Sequence, residues 1–171
     1  RTQQNDPTHY NNAQWLTTTR PKALTTNRTS LIVDPPDGRI PPMTAEGRER
    51  AAARRAARGF DGYDNRPYQE RCLAWTHEGP PMIPPPYNDL YQIFQTPGYV
   101  VLFPELSNNP IRIIPTDERP HISPAIRQWP GHSTGRWEGD TLVVDTTNFT
   151  PKTVFQGSSE SMHVIERFTR V

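Results

Sequence analysis

The chain has 171 residues and a formal net charge of +1, so it offers no global field that would recruit nucleic acid or an anionic membrane. Its single cysteine, Cys72, excludes an intramolecular disulfide and a cysteine-based zinc site. No run approaches the roughly 20 apolar residues of a membrane span. We therefore predict a single domain over residues 1–171, with no nucleic-acid partner and no membrane span.

Residues 1–88 hold most of the prolines and are predicted to form an extended arm, a short strand and one helix. Proline fixes φ and lacks a backbone donor, which excludes the proline runs from central strands and helix interiors. The short strand is predicted at residues 29–33, before the turn residues of 34–38. Because the chain starts at Arg1 rather than at Met, we also expect the native chain to carry an upstream segment.

The helix is predicted over residues 44–58. Thr44 can cap its first turn, arginines cluster at its C-terminal end, and Gly59 ends it. Its five arginines suggest nucleic-acid binding, but no aromatic residues are interleaved with them and no second basic patch follows. We therefore interpret the segment as a solvated surface helix, whose alanine face adds little to the core.

Residues 89–171 are predicted to form an antiparallel β core. Two apolar segments flank a Thr-Pro-Gly-Tyr sequence at 96–99, which is typical of a type II turn and places Phe94 opposite Val101. Residues 111–115, with the sequence Ile-Arg-Ile-Ile-Pro, are predicted as the next short strand.

Gly139-Asp140 separates a Trp-containing strand from a Val-rich strand, as a two-residue hairpin loop requires. The side chains of residues 163–171 are assigned alternately to two faces, which predicts a last strand whose hairpin partner lies beyond the end of the sequence. A closed or nearly closed barrel would hide the sheet edges, so we favour a barrel-like antiparallel meander over a flat sandwich. The predicted faces of the last strand carry His163, Ile165 and Arg167 on one side and Val164, Glu166 and Phe168 on the other.

Several segments resemble a family of uncharacterised exported proteins from soil and aquatic bacteria. They include YQIFQTPGYVV at 91–101 and GRWEGDTLVVDTTNF at 135–149, and the resemblance covers most of residues 28–171. It implies a lipocalin-like or calycin-like meander in a periplasmic or extracellular protein, without implying an activity. The chain departs from the family at Asn108-Asn109-Pro110, where a His or an acidic residue is more usual.

Three histidines in the β-rich half, His121, His132 and His163, would suit zinc or copper if the fold gathered them. Their spacing shows neither a helical i,i+4 pair nor a His-x-His element. We therefore predict that each is an ordinary polar residue, and that the protein holds no metal and no cofactor.

The acid–base candidates are His121, Asp145 and Glu166. A carboxylate inside a barrel loses solvation, which raises a carboxyl pKa toward the range of a general base. The alternative is that Glu166 and its neighbour Arg167 make ion pairs at the rim and fix the strand register. Both interpretations depend on which face of the sheet is the inner one.

An arginine beside an apolar cavity would bind a carboxylate or phenolate through paired hydrogen bonds. Aromatic residues in the same half would line such a cavity, although aromatics of this kind are more often simply core. The candidate ligand-binding residues are Arg112, Tyr91, Trp129, Arg136 and Trp137, with Trp75, Tyr87 and Tyr99 as further aromatics.

These observations leave three functions open. The first is an exported barrel-like domain that binds a small apolar or aromatic molecule, with Arg112 or His121 at its mouth. The second is a cofactor-independent lyase, isomerase or hydrolase on the same fold. The third is a structural subunit of an envelope or extracellular assembly, in which open strand edges pair with a protein partner or with further copies.

Overall fold

A computed structural model describes residues 30–73, 79–83, 90–105, 111–152 and 155–170. Within these ranges the protein is mainly β, with two three-stranded antiparallel sheets and one α-helix. Expectations that concern residues 1–29, Trp75, Tyr87 or Asn108–Pro110 lie outside the described residues. The elements are α1 (Ala45–Ala56), β1 (Tyr91–Thr96), β2 (Tyr99–Pro104), β3 (Arg112–Pro115), β4 (His132–Glu138), β5 (Thr141–Thr147) and β6 (Val164–Thr169).

The first sheet has the strand order β1-β2-β3. The predicted hairpin is confirmed, since Phe94 pairs with Val101 and the loop is Pro97-Gly98. Gly98 has a φ of 78°, the left-handed backbone that the third position of a type II turn requires. The predicted third strand is also present, with Val100 opposite Ile114.

The second sheet has the order β4-β5-β6. Its first hairpin turns at Gly139-Asp140 as predicted, with Glu138 opposite Thr141 on the two sides of the loop. Along β6, half-buried and exposed residues alternate over the whole strand, which confirms the predicted two faces. The sheet therefore has one inner face and one outer face, and each side chain's face follows from its register.

The inner faces of the two sheets meet in the main core cluster. Val100, Leu102 and Ile114 from the first sheet pack with Leu142 and Val144 from the second. At Gly135 on β4 an added Cβ would lie 2.9 Å from Ile114 Cγ2, so the close approach of the sheets depends on this glycine.

The structure has two separate sheets, and no closed barrel is found among the described residues. The predicted antiparallel meander is confirmed, whereas the barrel-like lipocalin arrangement is not. The predicted barrel and the observed fold differ at the junction of β3 and β4. These two strands contact each other but belong to different sheets. Because their ladders are not continuous, each sheet ends in edge strands, and face-to-face packing covers the inner residues of β2, β3 and β5.

Helix α1 matches its prediction closely, with Thr44 as N-cap accepting a hydrogen bond from Gly47 N at 3.0 Å. It docks on the turn at Phe155–Gly157, where a Cβ on Gly157 would lie 2.3 Å from Gly47 O. The short strand expected before it is not formed by residues 30–33. There the Ser30 hydroxyl donates to Gly38 O and accepts from Ile32 N, which ties the segment into a turn.

No helix in the described ranges is both long enough and apolar enough to cross a membrane.

A buried ion pair joins the two sheets. Arg112 on β3 donates from Nη2 to Glu166 Oε2 on β6 at 2.6 Å, and the two side chains are only 5% and 10% exposed. The same nitrogen lies 3.3 Å from Ser133 Oγ and 3.4 Å from Thr146 Oγ1. Glu166 Oε1 accepts from Met82 N at 3.0 Å, so the carboxylate also holds the 79–83 segment against the sheet.

We expect Glu166→Gln to lower the free energy of unfolding by about 3 kcal/mol or more, because it leaves the buried Arg112 cation without its counter-charge. Glutamine keeps the shape of the side chain and an acceptor for Met82 N, so the loss reports the charge. Urea unfolding followed by circular dichroism measures it.

Glu160→Gln is the matched control, because Glu160 is exposed. A surface substitution of this kind changes stability by less than about 0.5 kcal/mol. If both variants unfold at the same urea concentration as the wild type, the Arg112–Glu166 pair does not hold the sheets together.

Candidate functional site

Three histidines and one aspartate form a connected group on the second sheet, here called the His–Asp cluster: His121, His132, Asp145 and His163. Asp145 Oδ1 lies 3.1 Å from His121 Nε2 and 3.0 Å from His163 Nε2. His121 Nδ1 lies 3.0 Å from His132 Nδ1. The four side chains thus form one hydrogen-bonded chain that begins at His132 and ends at His163.

Strand register places three members of the cluster on the outer face of the sheet. Asp145 on β5 pairs with Thr134 on β4 and with Ile165 on β6. His132 and His163 each lie two residues before one of these partners, so their side chains share the face of Asp145. This face is opposite to the inner face that carries Glu166.

His121 reaches the cluster from the loop between β3 and β4. Asn148, buried just after β5, holds that loop: its Nδ2 donates to Ile122 O, Ser123 O and Ile126 O at 2.9 to 3.1 Å. Asn148 has a φ of 58°, a left-handed backbone that asparagine tolerates better than most residues. The Asn148 amide therefore positions His121 over the sheet.

The hydrogen bonds fix a consistent set of proton positions. A carboxylate only accepts, so His121 and His163 both donate their Nε2–H to Asp145. Neutral His121 then has a lone pair on Nδ1 and accepts from His132 Nδ1–H. A proton added at His132 Nε2 can be passed from His132 Nδ1 to His121 Nδ1, where Asp145 stabilises the resulting imidazolium, and a proton added at His163 is stabilised by Asp145 directly.

Desolvation lowers the pKa of His132 below its usual range; a positive charge on His121, whenever that ring is protonated, and the charge of Arg119 lower it further. Arg119 is itself fixed beside the cluster by Asp117 and by the Tyr99 hydroxyl. His132 is therefore kept neutral at neutral pH, in the form that can accept a proton.

The fold brings the three candidate metal-ligating histidines together, but not around a common centre. His121 directs its two ring nitrogens to different partners, His132 and Asp145. Among the described residues no group of three or more His, Cys, Asp or Glu side chains is arranged to hold a metal ion. The cluster as it stands is suited to moving protons.

Of the three predicted acid–base residues, the structure joins His121 with Asp145 and places Glu166 elsewhere. Glu166 lies on the inner face and pairs with Arg112, which is itself buried between the sheets. Arg167 on the outer face pairs with Glu138 at 2.6 Å, as expected of a rim ion pair. On β6, Glu166 faces inward and forms a core ion pair, whereas Arg167 faces outward and forms a surface ion pair.

The predicted ligand-binding residues are not gathered at one place in the described structure. Trp129 packs edge to face on Tyr68 at 4.9 Å, and Arg136 pairs with the exposed Glu138 at 2.7 Å. Trp137 is 45% exposed. Arg112 lies in the core, and Tyr91 lies on the edge strand β1 at the far end of the first sheet.

Sequence reasoning named His132 and His163 as metal candidates but not as acid–base residues. The sequence did contain a signal that groups His132 with Asp145. The Gly-Asp loop fixes the hairpin register, and this register places His132 on the same face as Asp145. The approach of His121 carries no such signal, since it depends on a loop that is held by Asn148.

Comparisons of the chain with protein-family models, with curated proteins and with solved structures find no match. The resemblance to exported bacterial proteins stays a prediction, and the site is interpreted from its own geometry.

We expect the loss of stability on acidification to be shallower in His132→Asn than in the wild type. The pKa of His132 is lowered in the folded protein. As the pH falls below about 6.5, His132 therefore takes up a proton in the unfolded protein before it does so in the folded protein. Protonation of the unfolded state lowers the stability of the wild type over the pH range between about 6.5 and the lower pKa of folded His132. The variant has no imidazole at this position, so it lacks this loss of stability.

Thermal unfolding midpoints measured at steps from neutral to mildly acidic pH report the difference. Asparagine keeps a donor toward His121 Nδ1, so the cluster retains a partner at this position. Parallel curves for the two proteins over this pH range would show that His132 titrates alike in the folded and unfolded states.

Proposed function

We propose that the protein is an enzyme whose His–Asp cluster carries out general acid–base catalysis. The observation that supports this proposal is the double role of Asp145, whose Oδ1 accepts hydrogen bonds from both His121 and His163. A carboxylate in this position orients an imidazole and stabilises its protonated form, which is what proton transfer to and from a substrate requires.

Each member of the cluster has a distinct role in the proposed chemistry. His132, held neutral, is the general base. His121 links it to Asp145, and Asp145 stabilises the positive charge that forms on the rings. His163, whose side chain is 55% exposed, exchanges the proton with substrate or solvent at the other end.

The two ends of the hydrogen-bonded His–Asp cluster, at His132 and His163, are open to a substrate. Within the described residues, His132 Nε2 and His163 Nδ1 have no recorded hydrogen-bond partner, whereas the nitrogens between them are all paired. Two imidazoles that share one carboxylate can act separately, so that one removes a proton from a substrate and the other donates a proton to it. This arrangement favours a cofactor-independent isomerase or lyase, or a hydrolase that activates water.

A covalent serine mechanism receives no support from this geometry. Ser133 neighbours His132 in sequence but lies on the inner face, where its hydroxyl contacts Thr146 Oγ1 at 2.9 Å. Attack by an activated water, or abstraction of a C–H proton, needs only the four side chains of the cluster.

The other two functions remain predictions. A barrel-like domain that binds a small apolar molecule requires a closed inner cavity, and the candidate ligand-binding residues lie apart. A structural subunit would use the apolar outer face of the first sheet, where Phe94 is 44% and Ile113 63% exposed, but the described residues do not show what covers it. Export to the periplasm or beyond rests on the family resemblance alone.

We expect Asp145→Asn to reduce catalysis about 100-fold or more, because the amide neither stabilises an imidazolium nor accepts from two rings as a carboxylate does. Two probes test the two chemistries: 5-nitrobenzisoxazole for proton abstraction from carbon, and p-nitrophenyl acetate for hydrolysis. The wild type should accelerate at least one of them above free imidazole at equal concentration, and His121→Asn should lose this acceleration as well.

Asp140→Asn is the matched control, since Asp140 lies in the exposed hairpin loop close in sequence to the site and has no recorded contact. It should keep full activity, and dialysis against a chelator should change nothing. The proposal is wrong if Asp145→Asn, shown to be folded, is as active as the wild type. It is equally wrong if the wild type accelerates neither probe between about pH 5 and pH 9, or if activity disappears with the chelator.

A further inference from the structure

A cavity of about 510 Å³ lies between helix α1 and two turns, and none of the His–Asp cluster residues lines it. One wall is the C-terminal half of α1, the second is residues 64–69, and the third is the turn at Phe155–Gly157. The volume is in the range of small-molecule sites, roughly 300–1,000 Å³. The helix is thus more than the solvated surface element predicted from the sequence.

Four arginines line this cavity: Arg54, Arg55, Arg58 and Arg66. Arg66 is neutralised by Glu70 at 3.1 Å. No ion pair or hydrogen bond of the Arg55 or Arg58 side chain is recorded in the described part of the chain. Asp64 is the only acidic residue among the lining residues, so the cavity keeps an excess of positive charge.

Arg54 adds an independent observation. Its Nη2 donates to Pro151 O at 2.8 Å and to Ser158 O at 3.3 Å, which fixes the guanidinium against the wall. Its Nη1 is buried and has no hydrogen-bond partner. Both partners of Nη2 are neutral carbonyl oxygens and no carboxylate among the described residues pairs with Arg54, so its charge adds to the positive charge of the cavity wall.

Tyr68, Ile83 and Phe155 add apolar and aromatic surface to the wall, beside the polar side chains of Asn65, Gln69 and Gln156. Guanidinium groups bind carboxylates and phosphates through paired hydrogen bonds, while an apolar wall favours a hydrocarbon or aromatic body. From the cavity, its unpaired arginines and this wall, we infer that the site binds a small organic anion: one oxyanion group on an apolar body. This inference does not depend on the proposed acid–base function.

Isothermal titration calorimetry with phenyl phosphate and with benzoate tests the inference. At least one of these probes should bind with one-to-one stoichiometry, and benzyl alcohol, which lacks the charge, should bind about tenfold more weakly or not at all. Inorganic phosphate should also bind more weakly than phenyl phosphate, because it leaves the apolar wall uncovered.

Arg55→Gln and Arg58→Gln should each weaken binding about tenfold, and Arg58→Lys less than Arg58→Gln, because lysine keeps the charge and loses the paired donors. Arg170→Gln is the matched control: it removes the same charge from an exposed residue outside the cavity and should leave the affinity within about twofold. Arg55 and Arg58 are exposed, and thermal unfolding confirms that each variant is folded.

Two results would overturn the inference. One is the absence of binding of both probes at millimolar concentration. The other is an equal loss of affinity in Arg170→Gln and in the cavity variants, which would show that the anion follows the net charge of the protein and not this site. Turnover plays no part in these measurements, so failure of the acid–base proposal would not affect their outcome.

Discussion

The ion pair between Arg112 and Glu166 sets the relation of the two sheets to each other. Each charge loses most of its water when the inner faces meet, so neither would be tolerated in the core without the other. Arg112 depends on Glu166 especially strongly, because its Nε and Nη1 are buried and have no partner in the described residues. The pair also recruits Met82 N, and in this way one carboxylate connects β3, β6 and the 79–83 segment. Hydrophobic packing around Val144 is non-directional. The Arg112–Glu166 ion pair is directional and therefore fixes how β3 and β6 lie relative to each other.

That placement of the strands also determines which side chains reach the outer face. With Glu166 fixed inward, strand alternation places Ile165 and His163 outward, and the β5 register then puts Asp145 on the same side. A shift of one residue in β6 would exchange the two sets and bury the imidazole. The core contact and the His–Asp cluster are therefore two consequences of one register, although they lie on opposite faces of the sheet.

The strands could be predicted from the sequence because their signals are local. The loop at Gly139-Asp140 and the alternation along β6 depend on turn chemistry and on a period of two, which neighbouring residues reveal. The barrel prediction went beyond these signals, since whether two meanders join depends on contacts between β3 and β4 that no local pattern encodes. The same limit applies to the site: His121 lies 24 residues from Asp145 in sequence and meets it only because Asn148 binds the intervening loop.

Glu166 shows why residue type alone assigns roles poorly. It and Asp145 are both strand carboxylates beside a basic group, and both were candidates for the general base. In the core, Glu166 is committed to Arg112 and lacks the access to solvent that proton exchange needs. Asp145, about a third exposed, forms bonds to His121 and His163 that water partly screens. Such bonds contribute less to stability, but they leave the imidazoles able to change their protonation state without unfolding the sheet. The outer face therefore suits the acid–base function that we propose for the His–Asp cluster, whereas the inner carboxylate serves the fold.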